Sequence, residues 1–74
     1  MKRYSFTAII EQEGDLFVAL CPELDVASQG KTIEQAKANL NEAVELFLET
    51  ASKAELRSRL HKDIFVSQME VAVG

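Results

Sequence analysis

Three acidic residues of this chain could supply metal chemistry. Asp15, Glu23 and Asp25 lie near the ends of predicted strands, where carboxylates from neighbouring turns can face one ion. Carboxylate oxygens are the ligands that Mg²⁺ prefers, and a Mg²⁺ ion held by them would support a minimal enzyme. Acidic residues are also common in solvated turns, and that interpretation is favoured here.

Nucleophilic chemistry has equally few candidates. Cys21 is the only cysteine, and it precedes Pro22 with no basic residue nearby in sequence to lower its pKa. His61, the only histidine, lies in a charged segment that we expect to be exposed. The glycines are isolated, so the sequence contains no phosphate-binding glycine loop. We predict that the chain is not an enzyme and that it holds no metal and no cofactor.

A row of glutamates gives a stronger signal. Glu42, Glu45 and Glu49 recur at i, i+3 and i+7, which places them on one face of a helix. A solvated helix face is the ordinary explanation of such a row. The alternative is a docking strip for a basic protein. We take these three residues as the candidate partner-binding site.

A basic cluster follows the acidic row, and it consists of Lys53, Arg57, Arg59 and Lys62. Cations near the C-terminus of a helix are favourable, and a charged helix end is the usual explanation. Phosphate contact is the alternative. The formal net charge of −4 repels a nucleic-acid backbone, so we expect no binding of RNA or DNA.

The length and composition predict one domain over residues 1–74. A hydrophobic fraction of 47% is enough for a packed core. Small domains are commonly stabilised by disulfides, a metal or a partner subunit. A single cysteine cannot form an intrachain disulfide, and the sequence has no Cys/His cluster to bind a metal, so a partner subunit is the remaining possibility. We therefore expect a homodimer or a higher homo-oligomer. With no apolar signal segment or membrane span in the sequence, we expect a cytoplasmic protein.

Alternating apolar residues predict three strands in the first half of the chain, over residues 2–10, 16–20 and 25–29. Residues 11–15 predict a hairpin connection between the first two strands. Pro22 lacks a backbone N–H, so we expect the second strand to end there.

A capped helix follows, over residues 33–52. Gly30 allows a tight turn, Thr32 is a candidate N-cap, and Gln35 completes a capping box with it. The apolar stripe of this helix consists of Ile33, Ala36, Leu40, Ala43, Val44, Phe47, Leu48 and Ala51. Residues 53–62 could extend the helix or form a separate turn. Residues 64–73 are rich in β-branched side chains and predict a fourth strand.

The order β-β-β-α-β predicts an α+β fold, with a small antiparallel sheet and one helix packed on one face. We expect Ile9, Phe17 and Ala19, with one side of the last strand, on the face that the helix leaves uncovered. An exposed apolar patch usually marks an interaction site. The expected oligomer would therefore form through the open face or through the last strand.

The same elements occur in an order shared with a known family. The matching pieces are residues 4–10, Glu13-Gly14-Asp15, Phe17-Val18-Ala19, Pro22-Glu23-Leu24, Ser28-Gln29-Gly30, Thr32, Glu34-Gln35-Ala36, Asn39-Leu40, Glu42-Ala43 and Glu45-Leu46. This layout, over residues 4–50, resembles the HicB-like antitoxin domain.

The resemblance implies a reduced RNase H-like fold without catalytic activity. HicB-like proteins pair with HicA-like toxins, which are small basic mRNA-cleaving ribonucleases, and block their active sites. Many members carry an additional C-terminal DNA-binding segment. The residues after Leu60 predict a strand instead, so we do not expect this chain to bind operator DNA.

The leading hypothesis is an antitoxin-type protein that neutralises a HicA-like ribonuclease. Two alternatives within the binding class are a small nucleic-acid-binding module that uses residues 53–62, and an orphan HicB-like oligomer without a toxin. A further alternative is a residual RNase H-like nuclease that uses Asp15, Glu23 and Asp25 with Mg²⁺.

Overall fold

A computed structural model describes residues 4–61 and 63–74. Three antiparallel strands, β1 (Ile9–Glu13), β2 (Leu16–Cys21) and β3 (Val26–Gly30), form one sheet in the order β1-β2-β3. Helix α1 (Ile33–Thr50) and the short helix α2 (Lys53–Arg59) follow. The predicted α+β class and the order β-β-β-α are confirmed.

The first strand begins later than predicted. Residues 4–8 lie outside the sheet, and residues 2 and 3 of the predicted strand lie outside the described residues. The backbone N–H of Thr7 donates to both carboxylate oxygens of Glu23, each at 3.0 Å. The Thr7 N–H is therefore bound by the Glu23 side chain and not by a neighbouring strand. The antiparallel pairing of β1 with β2 starts only at Ile9, opposite Leu20.

The two hairpins are tight. Gly14 and Asp15 alone connect β1 to β2, and Gly14 has a φ of 60°, a backbone conformation that glycine adopts without steric cost. Strand β2 ends at Cys21, so the predicted stop at Pro22 is confirmed. The second turn contains Asp25 with a φ of 56°, which aspartate tolerates better than most residues.

The core lies between the sheet and α1. Six apolar side chains among the described residues are buried here, and they belong to Ala19, Cys21, Leu24, Ala36, Leu40 and Val44. Phe17 packs against this cluster. Our prediction that Phe17 and Ala19 lie on the uncovered face is therefore wrong. Alternation fixes which residues share a face, but it does not say which face the helix covers.

The alternate residues of β2, Leu16, Val18 and Leu20, are half-buried on the opposite side of the strand. Ile9, which pairs with Leu20, is 41% exposed. Alternation places Ile9 with these residues on the open face of the sheet.

Helix α1 starts as predicted. The Oγ1 of Thr32 accepts a hydrogen bond from the backbone N–H of Gln35 at 3.0 Å. The Gln35 side chain accepts from the N–H of Lys31 at 2.9 Å and not from that of Thr32, so the capping box is displaced by one residue.

The residues after α1 form a separate helix. Ala51 is extended, and Ser52 caps α2 by accepting from the N–H of Glu55 at 3.0 Å. Leu56 and Leu60 pack against the core. Residues 53–59 therefore neither extend α1 nor form only a turn, and Lys62 lies outside the described residues.

The predicted fourth strand is wrong for the part of the chain that the structure describes, where only three strands pair. Residues 64–74, which we call the C-terminal arm, form neither helix nor strand and are exposed except for Ile64, which is half-buried. Phe65, Met69 and Val73 are 89, 86 and 93% exposed. The apolar side chains that we expect to pack against a sheet are thus left largely uncovered by the residues that the structure describes.

Candidate protein-interaction surface

The acidic row lies on the outer side of α1. Glu42, Glu45 and Glu49 are all exposed. At 3.6 residues per turn, their mean direction lies roughly opposite that of the buried residues Leu40 and Val44. The sheet fixes the inner face of α1 by packing, and this packing holds the three carboxylates toward solvent. A partner could therefore approach them without displacing core residues.

An apolar side chain sits beside these carboxylates. Leu46 is 61% exposed and lies one helical turn from Glu42 and from Glu49. Apolar anchors with a polar rim are the usual anatomy of a protein interface. Sequence reasoning missed Leu46 because it falls outside the apolar stripe of α1. The signal that could have found it is a leucine inside the acidic row. We call Glu42, Glu45, Leu46 and Glu49 the acidic surface.

The predicted basic cluster does not form one free surface. The guanidinium of Arg59 donates to the backbone oxygens of Leu24 at 3.2 Å and Asp25 at 2.6 Å. It also lies 5.1 Å from the centre of the Phe47 ring, within range of a cation–π contact. Arg59 thus fastens α2 to the β2–β3 turn. Lys53 and Arg57 are exposed, and Lys62 lies outside the described residues.

The three candidate metal ligands are not brought together. Asp15 lies in the β1–β2 turn, whereas Glu23 and Asp25 lie in the β2–β3 turn. The six residues of β2 separate the two turns by about 20 Å. Across residues 4–61 and 63–74, no group of three or more His, Cys, Asp or Glu side chains could hold a metal ion. A magnesium site that uses all three carboxylates is therefore wrong for this fold.

Glu23 has a structural environment instead. Its carboxylate accepts from the Thr7 hydroxyl at 2.7 Å in addition to the two contacts from the Thr7 N–H. Desolvation alone would raise the pKa of Glu23, but the hydrogen bonds from the Thr7 side chain and backbone outweigh it and hold the pKa below its ordinary value. The ionised carboxylate thus anchors residues 4–8 beside the β2–β3 turn.

Cys21 lies beside the Glu23 carboxylate. Its Sγ lies 3.6 Å from Oε1 of Glu23, and its side chain is fully buried. Burial raises the pKa of the thiol; a backbone hydrogen bond at Leu24 partly opposes this, and the Glu23 charge adds to it. A protonated, buried thiol is a poor nucleophile, so this environment suits a packing role.

The comparisons with known proteins identify a family. The chain is 36% identical to a UPF0150 protein of Synechocystis sp., over 95% of this chain and 90% of that protein. It is 35% identical to a UPF0150 protein of Helicobacter pylori, over 88% of this chain and 92% of that protein. The chain belongs to the UPF0150 family. The alignment with the Synechocystis UPF0150 protein spans nearly the whole chain, so the similarity extends beyond residues 4–50.

No family model matches the sequence, and no solved structure matches it either. Within the described parts of this UPF0150 protein, neither α1 nor α2 has the length and apolar character of a membrane-crossing helix.

Proposed function

We propose that this UPF0150 protein is a HicB-like, antitoxin-type protein that acts by binding and not by catalysis. Its partner would be a small basic HicA-like mRNA-cleaving ribonuclease. The observation that carries the proposal is the acidic surface, in which three exposed carboxylates lie beside the exposed Leu46 on the outer side of α1.

Charge supports this choice of partner. A ribonuclease that binds an RNA backbone presents basic groups around its active site, and an acidic surface is complementary to them. Complementary charge accelerates association and disfavours wrong partners, whereas desolvated apolar contacts contribute more of the affinity. Glu42, Glu45 and Glu49 would steer the ribonuclease, and Leu46 would pack against it.

The surroundings of the other polar groups agree with a binding role. Glu23 and Arg59 are engaged in hydrogen bonds that hold the fold together. Cys21 is buried, and its pKa is raised. Glu23 was a candidate metal ligand of the nuclease alternative, Arg59 a candidate phosphate contact, and Cys21 a candidate nucleophile.

The test uses the neighbouring gene. A small basic protein encoded beside this one, of about sixty to ninety residues as expected for a small ribonuclease domain, would be purified. Its cleavage of RNA would be measured with and without this protein. We expect stoichiometric inhibition. A triple variant, Glu42→Lys/Glu45→Lys/Glu49→Lys, should associate at least about tenfold more slowly at low salt and lose the salt dependence of association.

A matched control separates local charge from total charge. The variant Asp15→Lys/Glu55→Lys/Asp63→Lys changes the net charge equally, at three exposed positions outside α1 and β1. It should associate within about threefold of the natural protein, since it leaves α1 unchanged. Equal losses in both variants, with both folded by circular dichroism, would remove the assignment to α1. A neighbouring product that cleaves RNA equally well with this protein present would overturn the antitoxin proposal.

A further inference from the structure

The C-terminal arm has the character of a strand without a sheet. In an extended conformation, one face of the arm would carry Phe65, Met69, Val71 and Val73, which are 71–93% exposed. The opposite face carries Ile64, Val66 and Ala72 together with Gln68 and Glu70, and Glu70 is the only charged residue of the arm. The radius of gyration is 14.4 Å, against about 11 Å for a compact chain of this length, as expected when a segment projects from the domain.

The root of the arm is fixed to the domain. The N–H of His61 donates to the backbone oxygen of Glu23 at 2.6 Å, and Arg59 binds the same turn. Ile64 and Phe65 begin beside Ser5 and Phe6 at this end of the sheet. From there the ten or so residues of the arm can extend about 35 Å. The arm therefore leaves the domain from a defined position.

The two edges of the sheet differ. At the β3 edge, the Asn39 side chain donates to the backbone oxygen of Gln29 at 2.8 Å, and Arg59 binds the residues just before β3. Along β1, the described residues make no backbone hydrogen bond outside the ladder with β2. The β1 edge is thus the free one, and a free edge accepts a further strand.

We propose that the arm of one copy pairs as a strand with the β1 edge of a second copy, and that the second copy does the same in return. The chain contains both the donor strand and the acceptor edge, so two copies satisfy each other and close the assembly with two-fold symmetry. This dimer goes beyond the proposed antitoxin function and does not depend on it.

The apolar area supports a second copy as the occupant. A Val or Met side chain corresponds to roughly 60–120 Å² and Phe to about 150 Å² or more, so one arm offers on the order of 500 Å². Two exchanged arms and the surfaces that they cover remove on the order of 2,000 Å² from water, which matches a stable interface. A basic ribonuclease fits less well, since the arm offers it only Glu70 as a charge.

The test compares two neighbouring residues of the full-length chain by sedimentation equilibrium. Met69→Glu and Gln68→Glu each add one negative charge, but their side chains point to opposite faces of an extended arm. We expect a dimer in the micromolar range, with a dissociation constant raised at least about 100-fold by Met69→Glu and less than about threefold by Gln68→Glu. Because Met69 is exposed in the single chain, the Met69→Glu variant should keep its circular dichroism spectrum.

A second measurement locates the contact. In a mixed sample of isotopically labelled and unlabelled chains, isotope-filtered nuclear Overhauser effects should connect β1 of one chain with the arm of the other. Contacts between the arm and β1 of the same chain would overturn the exchange. A natural protein that is monomeric would also overturn the exchange. A dimer that both variants leave intact would overturn it too, because that result is expected if the open face of the sheet forms the interface. None of these outcomes bears on ribonuclease binding, which is measured separately.

Discussion

Strand β2 and the C-terminal arm are similar in residue composition but differ in burial: β2 is packed in the sheet and the arm is exposed. Both are short apolar segments rich in residues that favour strands. β2 pairs with a strand on each side, and its residues Ala19 and Cys21 are fully buried. The arm pairs with none of the other residues that the structure describes, and Val73 is 93% exposed. Alternation therefore indicates the extended conformation of a segment without indicating the strand that will lie beside it.

The comparison predicts that replacing a core side chain by alanine lowers the free energy of unfolding far more than the same replacement in the arm. Leu24 is fully buried, so Leu24→Ala should lower the free energy of unfolding by about 2–5 kcal/mol. Phe65→Ala, in the arm, should change it by no more than about 0.5 kcal/mol when the protein is dilute enough to be monomeric. Urea unfolding followed by circular dichroism measures both. A similar loss in the two variants would mean that the arm packs on its own chain.

Local signals predicted the packed part of the molecule well. The cap at Thr32 and the strand end at Pro22 depend on neighbouring residues, and both are confirmed. The role of Arg59 depends on backbone oxygens 34 and 35 residues away, which no local pattern encodes. The carboxylates of the acidic row could be placed on one helix face from their spacing alone. Leu46 was missed because it falls outside the apolar stripe of α1, although its place within the acidic row can be read from the sequence.

Gly30 shows that a residue can be singled out for the wrong reason. The predicted role was conformational freedom, yet its φ is not positive. A Cβ at this position would lie 2.5 Å from the backbone nitrogen of Ala36 and 2.8 Å from the carbonyl carbon of Gln35. Glycine is required because α1 approaches β3 closely, a contact that only the folded chain reveals.

Gly30→Ala should therefore destabilise the packed part of the molecule by about 1–3 kcal/mol, since the start of α1 must move away from β3. Gly74→Ala is the matched substitution in the arm, where a Cβ has nothing within 4 Å, and it should leave the unfolding midpoint unchanged. Thermal unfolding of the two variants, under identical conditions, gives the comparison. A neutral Gly30→Ala would show that the helix can shift away from the strand without loss.

The smallest expected effect on stability is that of replacing Glu23, which lies where the C-terminal arm joins the packed part of the molecule. Its side chain holds Thr7, and its backbone oxygen accepts from His61 at the root of the arm. Glu23→Gln should cost about 1 kcal/mol at pH 7, because a neutral amide accepts these hydrogen bonds more weakly than a carboxylate. Thr7→Val, which removes only the hydroxyl, should cost less because the N–H contacts remain.

The pH dependence of this effect follows from the lowered pKa of Glu23. Because the folded pKa lies below the ordinary value of 4.5, the stabilisation from ionised Glu23 is complete above pH 4.5 and is lost as the pH falls through the folded pKa. The stability difference between the natural protein and Glu23→Gln should therefore be constant near neutral pH and shrink in acid. Urea unfolding across this range measures it, and a difference that grows in acid would contradict an ionised Glu23 as the anchor of residues 4–8.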